Sequence, residues 1–92
     1  MKHFVYFIQS VTTCKYYIGT SREVNHRLGQ HNAGYSKATK SGVPWELRRV
    51  EAYPSLSEAR KREAQIKRMK SKKWIEELIS KEALTNNLTH AD

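Results

Sequence analysis

Phe4–Gln9, FVYFIQ, is a short run of aromatic and β-branched residues and reads as a strand. Phe4, Tyr6 and Ile8 point to one side, Val5 and Phe7 to the other. Both sides are apolar, so both are covered, and the strand is expected at the centre of a sheet. Ser10–Cys14 is a polar turn. Lys15–Gly19, KYYIG, is a second strand, and the short gap makes the pair an antiparallel hairpin. A register that opposes Tyr6 and Tyr17 sets two phenols side by side on one face.

From Arg22 the period changes from two to that of a helix, running to His31. Thr20 and Glu23 have the spacing of a capping box at its start. Val24, Arg27, Leu28 and His31 fall on one face. Val24 and Leu28 turn that face inward, and Arg27 and His31 share it. A helix that served only a core would carry apolar residues there, because a buried unpaired charge is expensive. The two polar groups therefore suggest a cleft, although an arginine can also lie at the edge of a core stripe with its head in water.

Ala33–Glu46, rich in Gly, Ser, Lys and Pro, reads as a loop. Its Lys37 and Lys40, with Tyr35 between them, either receive a nucleic-acid backbone and stack on a base or form a solvated mobile segment. Leu47–Tyr53 is a third strand, interrupted by Arg48, Arg49 and Glu51 and so expected at a sheet edge, with Pro54 after it. Ser55 and Glu58 form a second capping box before a helix over Ser57–Lys70. Ala59, Glu63 and Ile66 lie on its apolar stripe, and bases including Arg60 and Lys67 ring it. Glu63 on that stripe needs a cation, which is either Arg27 in a salt bridge or a metal ion. Ser71 breaks the pattern, and Lys72–Leu84 is a last helix whose Trp74, Ile75, Leu78 and Ile79 cover the core. Residues 1–84 are expected to form one domain and 85–92, TNNLTHAD, an unfolded tail. The order strand, strand, helix, strand, helix, helix predicts an α+β fold, a small three-stranded sheet flanked by three helices.

Charge narrows the partners. Seventeen Lys and Arg against nine Asp and Glu give a formal net charge of +8 on 92 residues. So basic a small domain is expected to meet phosphate, most often nucleic acid. Cys14 is the single cysteine, which excludes an internal disulfide framework and points to a cytoplasmic protein. No signal-peptide pattern or membrane-length apolar run is present, so no membrane partner is expected.

Phe4-Val5-Tyr6, then Tyr17-Ile18-Gly19, Arg27 ten residues after Tyr17, His31-Asn32 and finally Glu63 form an ordered set that resembles the GIY-YIG endonuclease domain. The likeness covers roughly residues 3–80, and the overall pattern is close to that of small stand-alone bacterial members. The resemblance implies a small antiparallel sheet flanked by helices. It implies that Tyr17 activates water, that Tyr6 orients the site, that Arg27 stabilises the phosphate and that Glu63 binds one metal ion. His31 stands where relatives carry a His or Tyr near the nucleophile, as an alternative base or an orienting group. Asn32 is expected to cap the helix end. Three positions depart from the pattern: Phe4 replaces the glycine of the motif name, Thr20 stands where some relatives have lysine, and Ile75 or its neighbours replace a late asparagine.

The same residues suit phosphodiester hydrolysis. A free phenol ionises near pH ~10, so a tyrosine base needs cations beside it. Arginine pairs with phosphate oxygens in a way that lysine cannot copy. One carboxylate can hold Mg²⁺ or Mn²⁺ weakly until substrate supplies further ligands. The expected function is a divalent-metal-dependent endonuclease, DNA rather than RNA being its substrate, monomeric when free, reading shape more than sequence, with a place in DNA repair or recombination. Arg22, Lys37, Lys40, Arg60 and Lys67 are the expected nucleic-acid contacts. The competing readings are a binding module of the same fold that does not cut and an assembly protein with no nucleic-acid role.

Overall fold

The computed structural model describes the backbone of residues 2–91 and the side chains of residues 2–81. The expected tail, 85–92, lies outside the fully described residues. The elements are β1 (His3–Ser10), β2 (Tyr16–Ser21), α1 (Val24–Asn32), β3 (Trp45–Tyr53), α2 (Leu56–Met69) and α3 (Lys72–Ala91), with a short 3-10 turn at Lys40–Gly42. The strands form one antiparallel sheet in the order β2-β1-β3, so β1 is central and β3 lies at an edge, as expected. This is the α+β arrangement of three strands and three helices anticipated from the pattern.

Alternation along β1 divides the interior into two compartments. Val5 and Phe7, both fully buried, join Ile18, Ala59, Ile66 and Ile75 under α2 and α3. Tyr6 and Ile8 point the other way and join Trp45, with Tyr17, Val24, Leu28 and Val43 packed around them under α1. Transfer of each large apolar side chain of this kind from water is worth about 1.5–3 kcal/mol, and it is this burial on both sides that holds the thin sheet.

Register and caps depart from expectation in instructive ways. Tyr6 faces Gly19, and Tyr17 faces Ile8, so the two phenols are diagonal rather than opposed. The Tyr6 ring needs the space above a glycine: a Cβ built on Gly19 would lie 2.5 Å from the Tyr6 hydroxyl oxygen and 2.6 Å from Cζ. The Thr20–Glu23 capping box does not form. Thr20 is committed to β2, where it pairs with Val5. Glu23 itself is the N-cap of α1, and its N–H is held by Ser21 Oγ at 3.0 Å. At α2 the backbone half of the second box is present, Ser55 Oγ accepting from the Glu58 N–H at 3.2 Å. Ala33, not Asn32, caps the end of α1, and Asn32 turns to β3 instead. Its side-chain oxygen accepts from the Trp45 N–H at 2.6 Å and its amide donates to the Trp45 carbonyl at 3.1 Å, which starts β3 two residues earlier than Leu47.

Candidate active site

The side chains of β1, β2 and α1 meet on the α1 side of the sheet. β1 sends Tyr6 there and β2 sends Tyr17, because both belong to the same face of the pleat. Their ring centroids are 6.4 Å apart. His31, from the last turn of α1, packs against both, with centroids 5.8 Å from Tyr6 and 5.0 Å from Tyr17. Trp45 lies edge-on to Tyr17 at 6.5 Å and closes the cluster from β3.

His31 is fully buried, and both of its ring nitrogens are used. Nε2 is 2.9 Å from the Tyr6 hydroxyl and Nδ1 is 2.7 Å from Thr39 Oγ1. The Thr39 hydroxyl lies 3.5 Å from the Ser36 carbonyl. A neutral imidazole donates from one nitrogen and accepts at the other, so His31 links Tyr6 to Thr39 in either of its two tautomers. The Tyr6 oxygen also receives a hydrogen bond from Arg27. The Thr39 backbone is fixed in turn, because its carbonyl receives the Trp45 indole N–H at 2.8 Å. Burial lowers the His31 pKa, and the charge of Arg27 lowers it further, so the imidazole is neutral. Burial raises the Tyr6 pKa above the ordinary phenol range; Arg27 opposes this, while Tyr17 and Glu63 add to it.

Arg27 is half-buried, and its guanidinium donates to Gln30 Oε1 at 2.9 Å. It lines a hollow of about 670 Å³ together with Lys2, Arg22, His26 and Gln30. Glu63 reaches the site from α2. Its carboxylate pairs with Lys67 one turn on, at 2.5 Å, rather than with Arg27. The Lys67 ammonium also lies 5.9 Å from the centre of the Tyr17 ring. One lysine thus links the acid to the phenol across the edge of β2. The Glu63 side chain keeps 21% of its exposure, so it sits at the rim of the apolar stripe rather than within it. Among the described residues there is no cluster of three His, Cys, Asp or Glu side chains able to hold a metal. A single carboxylate at the rim fits one hard ion that takes its other ligands from water and phosphate.

Tyr6, Tyr17, Arg27 and His31 are thus brought together, with Glu63 joined to them through Lys67. Arg22 lies at the Arg27 hollow, Lys67 at the Tyr17 edge, and Arg60 on the exposed side of α2. Lys37 and Lys40 are exposed in the segment between α1 and β3, beside Tyr35, which is 77% exposed. Thr39 and Trp45 were not legible as site residues. Thr39 sits among loop residues, and no periodicity marks it; only the hydrogen bond to a histidine eight positions earlier reveals it. Among the described residues no helix is long and apolar enough to cross a membrane.

A sheet face carrying paired tyrosines, a histidine, an arginine and one outlying glutamate defines a class. The family model described as the GIY-YIG catalytic domain matches residues 2–77, and the chain belongs to that family. The family is one of nucleases, which act on nucleic acids and generally depend on divalent metal. Within it the chain is similar to small proteins designated UPF0213. One, from Halobacterium salinarum, is 40% identical over 68 residues, covering 73% of this chain and 87% of the relative. Another, from Staphylococcus epidermidis, is 41% identical over 80 residues, covering 83% and 96%. The solution NMR structure of a UPF0213 protein from Bacillus halodurans superposes with a TM-score of 0.55 at 31% identity, covering 87% of this chain and 84% of that one.

Proposed function

We propose that this chain is an endonuclease that hydrolyses phosphodiester bonds in DNA, with one Mg²⁺ or Mn²⁺ ion at Glu63. The observation that carries the reading is the meeting of Tyr17, the Tyr6–His31 pair, Arg27 and the Lys67–Glu63 pair along β2. In this reading the Arg27 guanidinium takes two oxygens of the scissile phosphate, exchanging its bond to Gln30 for them. Tyr17, acting as its phenolate beside the Lys67 ammonium, accepts the proton of the attacking water as the new P–O bond forms; the P–O bond to the leaving oxygen breaks, and that oxygen takes its proton from solvent. In the tautomer whose Nε2 takes the Tyr6 proton, the Tyr6 oxygen accepts, and it orients the attacking water by receiving a hydrogen bond. His31 is a positioning group: buried, neutral and held by Thr39, it fixes the Tyr6 oxygen rather than reaching substrate. Lys67 leaves Glu63 for the phosphate backbone as substrate enters. Glu63 would hold the divalent ion, which when bound would relieve charge on the phosphate and the leaving oxygen. Arg22, Lys37, Lys40 and Arg60 extend the contact to neighbouring phosphates, which makes binding sensitive to salt. A role in DNA repair or recombination and a cytoplasmic location accord with such a substrate.

A second reading, a nucleic-acid-binding module that does not cut, draws on the ion pair that occupies Glu63 and on the net charge of +8. Incubation with supercoiled, branched and single-stranded DNA in Mg²⁺ or Mn²⁺ separates the two. Cleavage by the wild type, lowered at least about 100-fold in Glu63→Gln and Tyr17→Phe, supports the endonuclease. Glu63→Gln leaves stability within about 0.5 kcal/mol, because an exposed ion pair is worth little. Equal product from wild type and both variants refutes the assigned roles. Salt-sensitive binding with no cleavage of any substrate selects the second reading.

A further inference from the structure

Beside the outer edge of β2, the junction of α2 and α3 closes a hollow of about 410 Å³. Lys70 ends α2 in the left-handed conformation, with φ of 47°, and the Ser71 hydroxyl caps the Trp74 N–H at 3.1 Å to start α3. This sharp joint gathers Lys67, Lys70 and Lys72 on one rim, and Lys15 enters from the hairpin. The floor is different in kind: the rings of Tyr16 and Tyr17, both partly buried, line it together with the buried Ile66 and Ile75. Among the described residues no acidic side chain lines the hollow.

An apolar floor offers nothing to a bare phosphate, and four ammonium groups offer nothing to an apolar ligand. A nucleotide answers both, with a flat base for the floor and a phosphate for the rim. The volume is that of a small-ligand site, commonly about 300–1,000 Å³. A base within a duplex must first leave its stack, whereas an unpaired base enters without that cost. We propose that this hollow holds an unpaired nucleotide beside the phosphodiester engaged at Tyr17, so that the chain prefers DNA carrying a bulged, gapped or flapped base at that point. The position relative to the cut rests on the endonuclease reading; the nucleotide site itself does not.

The test measures binding of the full chain in EDTA, where no cutting intervenes. Two duplexes of equal length are compared, one carrying a single-nucleotide bulge made of 2-aminopurine. The bulged duplex is expected to bind about tenfold tighter, the scale of one stacked base, with a change in 2-aminopurine emission. Lys70→Glu/Lys72→Glu, both exposed, is expected to remove the preference. Lys61→Glu/Arg68→Glu, exposed positions beside a different hollow, weakens both duplexes alike. Equal affinity for the two duplexes, unchanged emission, or a proportional loss on both in Lys70→Glu/Lys72→Glu overturns the proposal. A preference in EDTA without any cleavage in Mg²⁺ supports the nucleotide site while overturning the nuclease reading.

Discussion

Replacing Gly19 by alanine sets two effects of opposite sign against each other. Alanine restricts the unfolded chain, which by itself stabilises by about 0.4–1 kcal/mol. Against this, the new methyl group would lie 2.5 Å from the Tyr6 hydroxyl oxygen and 2.6 Å from Cζ, where ordinary contacts are nearer to ~3.5–4 Å. The ring cannot swing aside freely, because Tyr6 is 1% exposed and its hydroxyl is bonded to His31 at 2.9 Å. Overpacking of this kind costs about 1–3 kcal/mol, so the crowding prevails and Gly19→Ala is expected to destabilise by about 1–2 kcal/mol net. For a domain of this size that lowers the melting temperature by roughly 5–15 °C. Urea and thermal melts read the effect. In a Tyr6→Leu background the ring is gone, and the same Gly19→Ala change is expected to be neutral or stabilising. Cleavage is expected to fall in Gly19→Ala even at temperatures where the protein is fully folded, since the Tyr6 oxygen is displaced. An unaltered melt in the wild-type background, or the same change in both backgrounds, would refute the packing of Tyr6 over Gly19.

The pH dependence of stability has two separate limbs. His31 titrates lower in the fold than in the unfolded chain, so below about pH 6.5 the unfolded chain binds a proton that the native state refuses. Urea midpoints are expected to fall as pH drops from 7.5 to 5.5, and the slope in that window to vanish in His31→Gln. Burial alone would raise the Glu51 pKa, but hydrogen bonds from Arg62, Tyr53 and Arg49 outweigh it and the net shift is downward. Its contribution is complete above the ordinary carboxylate range and is lost as pH falls through the depressed folded value; Glu51→Gln is expected to flatten that lower limb of the urea curve. Asn32→Ala removes both bonds to the Trp45 backbone and is expected to cost about 1–3 kcal/mol by urea denaturation, with Asn32→Asp only partly better, because a carboxylate accepts from the N–H but opposes the carbonyl.

The sheet and its coverage were legible because period two is a local property. FVYFIQ has apolar residues on both sides, and β1 is the central strand. Leu47–Tyr53 carries charges, and β3 lies at an edge. The inward face of α1 was legible too, since His31 and Arg27 recur at helical spacing with Val24 and Leu28. Register was not. It depends on how many residues the turn absorbs, and the turn spends Val11–Lys15, with Cys14 at φ of 64°, leaving Tyr17 beside Ile8. The Thr20–Glu23 spacing suggested a cap that the sheet pre-empted by drawing Thr20 into β2. Glu63 was read as needing a cation, and a nearby helical lysine met that need before Arg27, which a stripe diagram cannot distinguish. Thr39 and the Asn32 clasp on Trp45 depend on the folded path of residues 33–44 and leave no trace in periodicity.

Because neighbouring residues of β1 serve opposite compartments, a partition one backbone thick separates the reactive chamber from the oily foundation. Val5 and Phe7 anchor the chain to α2 and α3, while Tyr6, one position along, furnishes the chamber and is packed core as well. Glu63 and Lys67 come round the rim of that partition, from α2. Remodelling the chamber's tyrosine therefore disturbs the foundation, whereas remodelling the two charges at the rim does not.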